Sequence, residues 1–263
     1  MSARWPLASR QWQGARPYQE DAFATREIDM AGGGEGAALL LVLADGMGGA
    51  AGGAVASRIA TDAFIGEFAG HAGTVSDRFE ACLDAATARL RQRETEDRRL
   101  LGMGTTVVAA LHDGRGIDWL SVGDSPMWLF VDGGLERLNE DHSMAPMLEE
   151  MVRQGALTPD EARHDGRRHM LRSAVTGRPA ELVDRGYRAC RLLPGEFLLI
   201  ASDGLETLPE ERIARELGEA GGDAEAAAGA LDTALRAAAG RYQDNATFLL
   251  LSAGPLLGNP SSL

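Results

Sequence analysis

Five aspartates share one setting: each lies at the edge of an apolar run, next to glycine or another polar turn residue. They are Asp21, Asp45, Asp124, Asp203 and Asp244. A single Asp beside Gly is ordinary turn chemistry. Five of them gathered at one end of a sheet would repel one another, because like charges at close range cannot all stay ionised. A divalent cation removes that conflict. The donors are all oxygen, with no Cys or His beside them, so the hard cations Mg²⁺ or Mn²⁺ suit them better than Zn²⁺.

The stretch that must position Asp45 is LLVLADGMGGAAGGAVAS, residues 40–57. The apolar run Leu39 to Leu43 predicts a strand buried on both faces, ending at Asp45. Gly46, Gly48, Gly49, Gly52 and Gly53 follow. Beyond them Val55, Ala56, Ile59, Ala60, Ala63, Phe64 and Phe68 fall at helical spacing. A carboxylate at the end of a rigid strand, backed by permissive backbone, can hold a metal, a phosphate or a nucleotide.

Other strands frame the remaining acids. Trp5 to Trp12 and Ala22 to Ile28 flank the polar run Arg16 to Asp21, and a Gly-rich hairpin loop is expected over Ala31 to Gly36. Phe79, Leu83, Ala86 and Leu90 predict a second amphipathic helix. Thr105 to Leu111, Gly116 to Val122 and Met127 to Val131 are short strands separated by Asp-Gly and Gly-Asp turns, so the sheet there is antiparallel. Asp141 to Arg185 is polar and rich in Arg, His and Met. It predicts a long excursion over the surface, with one short helix over Ala145 to Gln154. Strands over Tyr187 to Leu192 and Phe197 to Ala201, helices over Glu210 to Leu217 and Glu225 to Ala239, and a last strand over Thr247 to Leu251 complete the chain. Gly254 to Leu263 is expected to be a frayed tail.

Composition narrows the partners. The chain has 263 residues and a net charge of −13, which argues against a nucleic-acid or anionic-membrane surface. All 26 basic residues are arginine, so a phosphate-binding P-loop, which needs Gly-Lys, is excluded. Cys82 and Cys190 are far apart, without metal-ligand spacing, and are expected to be buried thiols in a reducing compartment. No apolar run approaches 18 residues and no signal peptide is visible, so a cytoplasmic protein is expected.

Two other chemistries fit single motifs. Gly46-x-Gly48-x-x-Ala51 matches the dinucleotide fingerprint, but that fold needs parallel βαβ units, and Glu67, at the right spacing for the ribose acid, lies inside a helical pattern. Gly123-Asp124-Ser125 could present a serine nucleophile, but there is no G-x-S-x-G and no histidine placed as a base.

Taken together, RPYQEDA, DGMGG, GTT, GDS, DHS, SDGL and DNAT occur in the order and rough spacing of the metal-dependent type 2C Ser/Thr protein phosphatases, the PPM family, and the chain resembles that family from about Gln13 to Leu251. The resemblance implies an α+β fold, an α-β-β-α sandwich of two antiparallel sheets flanked by helices, as a single catalytic domain over 1–253 followed by a tail over 254–263. It implies hydrolysis of phosphoserine and phosphothreonine by a metal-activated water, with two tightly bound Mg²⁺ or Mn²⁺ ions and a third, weaker site. By motif, Asp45 resembles the carboxylate bridging two metals, with the Gly46 carbonyl on the second, and Asp203 and Asp244 resemble ligands of the first. Glu20 and Asp21 are similar to acids that hold metal-bound waters. Asp124, with Asp203, resembles the third site, and Arg16 matches the arginine that grips the substrate phosphate. Residues from Met144 to about Arg185 resemble the flap beside the active site. Gln19 stands where the family has Asn, and Pro126 where bacterial members often have Arg. Met47 and Ala50 stand where other members have His, so the resemblance offers no histidine general acid. The implied partners are phosphorylated substrates of a Ser/Thr kinase, met by a monomer. The alternative is a catalytically weak phosphatase-like module that binds a kinase or regulator.

Overall fold

In a computed structural model, the described residues are 5–30, 37–48, 52–189 and 191–253. The loop expected over 31–36, Ala50, Cys190 and the tail expected over 254–263 lie outside them. The strands are β1 (Leu7–Trp12), β2 (Asp21–Asp29), β3 (Ala37–Met47), β4 (Gly104–Thr105), β5 (Val107–His112), β6 (Ile117–Val122), β7 (Met127–Val131), β8 (Gly134–Arg137), β9 (Asp184–Arg188), β10 (Phe197–Ala201) and β11 (Ala246–Ser252). The helices are α1 (Gly52–Glu67), α2 (Val75–Glu96), α3 (Ala145–Arg153), α4 (Pro159–His164), α5 (Glu210–Glu219) and α6 (Ala224–Ala238).

The strands form two antiparallel sheets. One runs β1-β11-β10-β7-β8 and the other β2-β3-β5-β6-β9, with β4 on the end of β3. Alternation along β3 explains the layering, because successive side chains point to opposite faces. Leu39, Leu41 and Leu43 face the other sheet and pack with Met127, Leu129, Leu198, Ile200, Leu249 and Leu251. Leu40, Val42 and Ala44 face outward onto α1 and α2, against Ala56, Ala60, Phe64, Phe79 and Leu83. The outer face of the first sheet packs Trp128, Phe130, Leu199 and Phe248 against α5 and α6. The result is the expected α-β-β-α sandwich with three apolar layers. Leu41 is 1% exposed in the middle of it, so Leu41→Ala would cost about 2–5 kcal/mol.

Several boundaries differ from the sequence expectation, each for a physical reason. β3 does not end at Asp45 but runs on to Met47, pairing Gly46 with Thr105 and Met47 with Gly104. Glycine here does not break the strand. It lets the backbone pass where a Cβ would lie 2.2 Å from the Gly53 carbonyl oxygen. The expected strand over 105–111 is split at Thr106, whose backbone and hydroxyl turn to Asp45. β8 carried no apolar signal because it is a short, half-exposed edge strand. It is closed by Asp132 (φ 51°) and Gly133 (φ 79°), the left-handed pair of a tight hairpin. The strand expected over Tyr187 to Leu192 lies earlier, over Asp184–Arg188, because Gly186 must sit under the Trp119 ring, where a Cβ would be 2.0 Å from the indole.

The excursion holds two helices, not one. α4 starts with a capping box between Thr158 and Glu161. The return leg of the excursion is tied to the body. Val175 and Thr105 exchange backbone hydrogen bonds at 2.8 and 3.0 Å, Arg172 N donates to the His142 carbonyl at 2.7 Å, and Val175 is fully buried.

Candidate metal centre

The two sheets bring one end of each to a common open cleft of about 620 Å³. Its walls include Arg16, Glu20, Asp45, Gly46, Asp124, Asp203 and Asp244. Seven of the eight residues singled out in the sequence therefore meet in one place. The eighth, Asp21, lies beneath the floor, 6% exposed.

Asp45 is held by its own strand and by the 104–106 motif. Its N–H donates to Thr106 Oγ1 at 2.9 Å, and its carbonyl accepts from Thr105 Oγ1 and Thr106 N, both at 2.8 Å. Across the β2–β3 ladder its register partner is Asp21. Asp21 Oδ2 accepts from Thr247 Oγ1 at 2.7 Å and from Ser202 Oγ at 2.9 Å. Those two hydroxyls come from the other sheet, so Asp21 bridges the sandwich directly under the cleft. Asp203 opens a 3₁₀ turn at the end of β10. The turn presses so closely on β11 that a Cβ on Gly204 would lie 1.9 Å from the Asn245 carbonyl oxygen. Asp124 follows Gly123 (φ 107°), whose N–H donates to His142 Nδ1 at 3.2 Å, and the Asp124 carbonyl accepts from Arg137 at 2.7 Å.

The Arg16 loop is fastened by Asn245, a residue the sequence reading passed over inside its motif. Its Nδ2 donates to the Gln13 carbonyl at 2.7 Å and the Tyr18 carbonyl at 3.0 Å, while Oδ1 accepts from Glu20 N at 2.8 Å. Arg16 itself reaches Asp244 Oδ2 at 2.5 Å. His169, Met170, Leu171 and Arg172, from the return leg of the excursion, also line the cleft. Sequence reasoning set His169 aside as part of a surface loop. Long-range backbone pairings of the return leg, Val175 with Thr105, Arg172 with His142 and Met170 with Met144, bring it to the cleft.

Electrostatically the cleft is over-supplied with acid. Burial pushes the Asp45 carboxyl well above the carboxylate range, and the charges of Asp21, Asp203, Asp124 and Asp244 push it further. Burial, with Asp203 and Asp141 nearby, raises Asp124 to about 7. Asp21 rises to about 6, chiefly by burial, even though two hydroxyls favour its charged form. Asp203 is raised by burial and by Asp244, partly offset by a hydrogen bond with Asp45. Glu20 is raised by burial. Arg16 is held still more firmly charged by its hydrogen bond to Asp244.

The protein phosphatase 2C family matches residues 17–238 of the chain. The chain belongs to that family. It is 32% identical over 216 residues to the serine/threonine protein phosphatase PstP of Mycobacterium tuberculosis, covering 81% of this chain but 40% of PstP, so it spans well under half the length of that relative. Among solved structures, the catalytic domain of PstP in complex with two manganese ions superposes with a TM-score of 0.73 at 30% identity, covering 94% of this chain and 96% of that one. Stp1 from Staphylococcus aureus superposes with a TM-score of 0.78 at 25% identity, covering 96% of each chain.

The protein phosphatase 2C cleft in this chain fits a divalent cation by its own chemistry. The donors are oxygens only. Asp21 Oδ1 and Glu20 Oε1 are buried without a hydrogen-bond partner among the described residues, and buried acceptors of that kind cost about 1–3 kcal/mol each when left unmet. Among the described residues no three Asp, Glu, His or Cys side chains close on a single point as a cage. Carboxylate and carbonyl oxygens of this kind suit a hard divalent cation. Among the described residues no helix is long and apolar enough to cross a membrane.

Proposed function

We propose that this chain is a metal-dependent protein serine/threonine phosphatase, with one catalytic domain over residues 1–253. The observation that carries the reading is the convergence of Asp45, Asp124, Asp203 and Asp244 with Arg16 in one cleft, where burial and neighbouring carboxylates raise Asp45, Asp124 and Asp203. Asp45, the Gly46 carbonyl, Asp203 and Asp244 would hold two Mg²⁺ or Mn²⁺ ions, and Asp124 with Asp203 a third, weaker one. When bound, such ions neutralise charge developing on the phosphoryl oxygens and acidify water at neutral pH.

The remaining work falls to the chain's own groups. Arg16 presents a planar fork that can bind two phosphate oxygens, which an ammonium could not match. Asn245 keeps that fork at the rim by fixing the loop on either side of it. Glu20 Oε1 and Asp21 Oδ1 are the spare acceptors that hold waters of the site in place. Phosphoryl transfer asks for positioning and charge neutralisation more than for proton chemistry, which suits a site without a covalent nucleophile.

The substrates in this proposal are phosphoserine and phosphothreonine proteins made by Ser/Thr kinases. The enzyme acts as a monomer, and the flap over 144–185 shapes substrate choice. A reducing, cytoplasmic setting belongs to the same proposal: Cys82 is a buried free thiol, pushed up to about 12 by burial and therefore inert. The test is hydrolysis of phosphothreonine peptides and p-nitrophenyl phosphate with Mn²⁺ or Mg²⁺. The proposal expects turnover that EDTA abolishes and fresh metal restores; full activity in metal-free buffer would end it.

A further inference from the structure

Beside the acidic cleft is a second hollow of about 270 Å³, lined by Ala15, Arg16, Arg241 and Tyr242. Arg16 lines both hollows, so they meet at the residue assigned above to the substrate phosphate. Ala15 N donates to the Gln243 carbonyl at 2.8 Å, which fixes the 241–243 turn against the Arg16 loop. Tyr242 is 77% exposed. The Arg241 guanidinium carbon lies 4.3 Å from the Tyr242 ring centroid.

This pair stands out in a chain of net charge −13. Among the described residues Arg241 has no carboxylate partner, whereas its neighbour Arg16 pairs with Asp244 through one of its nitrogens. Stacking on the ring orders the guanidinium plane without using its N–H donors. The donors remain free for an oxyanion, and the ring offers an apolar platform for the chain that carries it. A peptide whose phosphate lies at Arg16 and whose chain runs toward the 241–243 turn must cross this platform.

We propose that Arg241 and Tyr242 form a flanking subsite that takes an anionic side chain close in sequence to the phosphoresidue of the substrate. The proposal rests on Arg16 being the phosphate ligand. The anion has two chemical sources, the carboxylate of Asp or Glu and a second phosphoserine. Both match the guanidinium fork, and the phosphate brings more charge.

The test compares phosphothreonine peptides that differ at one position near the phosphoresidue, carrying Ala, Asp, phosphoserine or Arg, by kcat/KM with Mn²⁺ at low salt. At the best position the wild type should favour Asp over Ala by about two- to fivefold, the size expected of a solvent-exposed pair, and phosphoserine by more. Asp and phosphoserine peptides of equal rank would assign the subsite to any anion; a preference for phosphoserine alone would assign it to multiply phosphorylated segments. In Arg241→Ala the Asp/Ala ratio should fall toward one, and in Arg241→Glu the Arg peptide should overtake the Asp peptide. A role of Arg241 in stability alone would lower every peptide together and leave the ratios fixed, and that result would overturn the subsite. If the wild type does not hydrolyse p-nitrophenyl phosphate, the activity reading fails separately. Fluorescence anisotropy of labelled peptides then reads the subsite by itself: tighter binding of the acidic peptide that Arg241→Ala removes supports it, and equal binding overturns it.

Discussion

Raising the pH of the metal-free protein should destabilise it, and Asp124→Asn should remove a calculable part of that loss. Asp124 has an ordinary pKa of 3.8 and a folded-state value of about 7, set first by burial and then by Asp203 and Asp141. Below 3.8 its carboxyl is neutral in both folded and unfolded chains. Between 3.8 and about 7 the unfolded chain releases the proton while the folded one keeps it, so the folded state loses ground as pH rises through that window. From about pH 5.5 to about pH 7.5 the loss is about 2 kcal/mol, from 1.36 kcal/mol per unit over the part of the window crossed. For a chain of this size that is a fall in Tm of about 4–6 °C. Asp21, at about 6, adds in the same direction. Glu206 is also raised, to about 7, but its side chain is 44% exposed and water screens it, so it is not counted. His112 and His142 are buried and held below 6.5, so they favour the folded state less as pH falls and oppose the trend. The clean observable is therefore the Tm gap between Asp124→Asn and wild type, by differential scanning fluorimetry in EDTA. The variant should be the more stable, with a gap larger at pH 7.5 than at 5.5 by about 4–6 °C, and Mn²⁺ should shrink the gap at the higher pH. A gap that does not change with pH would refute the reasoning.

Asp45→Asn and Asp203→Asn should abolish hydrolysis, leave the circular dichroism spectrum unchanged and raise the Tm of the metal-free protein by relieving repulsion among buried acids; wild-type turnover in either would contradict the assignment. Gly46→Ala would place a Cβ 2.2 Å from the Gly53 carbonyl oxygen and 2.5 Å from that of Glu20. It should cost about 1–3 kcal/mol in urea denaturation and most of the activity; an unchanged midpoint and rate would show that the cleft is not as tightly closed around this residue. Asn245→Ala removes three hydrogen bonds from the Arg16 loop. Steady-state kinetics should show KM for phosphopeptides rising more than kcat falls, and an unaltered KM would mean that the loop is held by something else.

The acids of the cleft were legible because each follows or opens an apolar run, and a strand fixes the direction of what stands at its end. Asp45, Asp203 and Asp244 are of this kind. Elements without an apolar signature were not legible: β8 is half-exposed, and β9 is placed by Gly186 beneath Trp119, a contact between residues far apart in sequence. The glycines after Asp45 mark the end of the strand by sequence, yet Gly46 continues it, at a place where two backbone carbonyls leave no room for a side chain. His169 and Arg172 enter the cleft through long-range backbone pairings, Val175 with Thr105 and Arg172 with His142 among them, and nothing local in 169–172 announces them. Asn245 carried no signal of its own beyond its place in the DNAT motif. Its three hydrogen bonds to segments more than 220 positions away make it the fastening of the Arg16 loop.

The central claim is that the buried acids of this cleft exist to hold two cations. Crystals soaked in Mn²⁺ and measured near the manganese edge test it most directly. The account predicts two strong anomalous peaks in the cleft, both within about 2.0–2.4 Å of Asp45 carboxylate oxygens, one of them also against Asp203 and Asp244. A map without peaks there, from crystals of a protein that hydrolyses phosphothreonine in the same Mn²⁺ buffer, would contradict it.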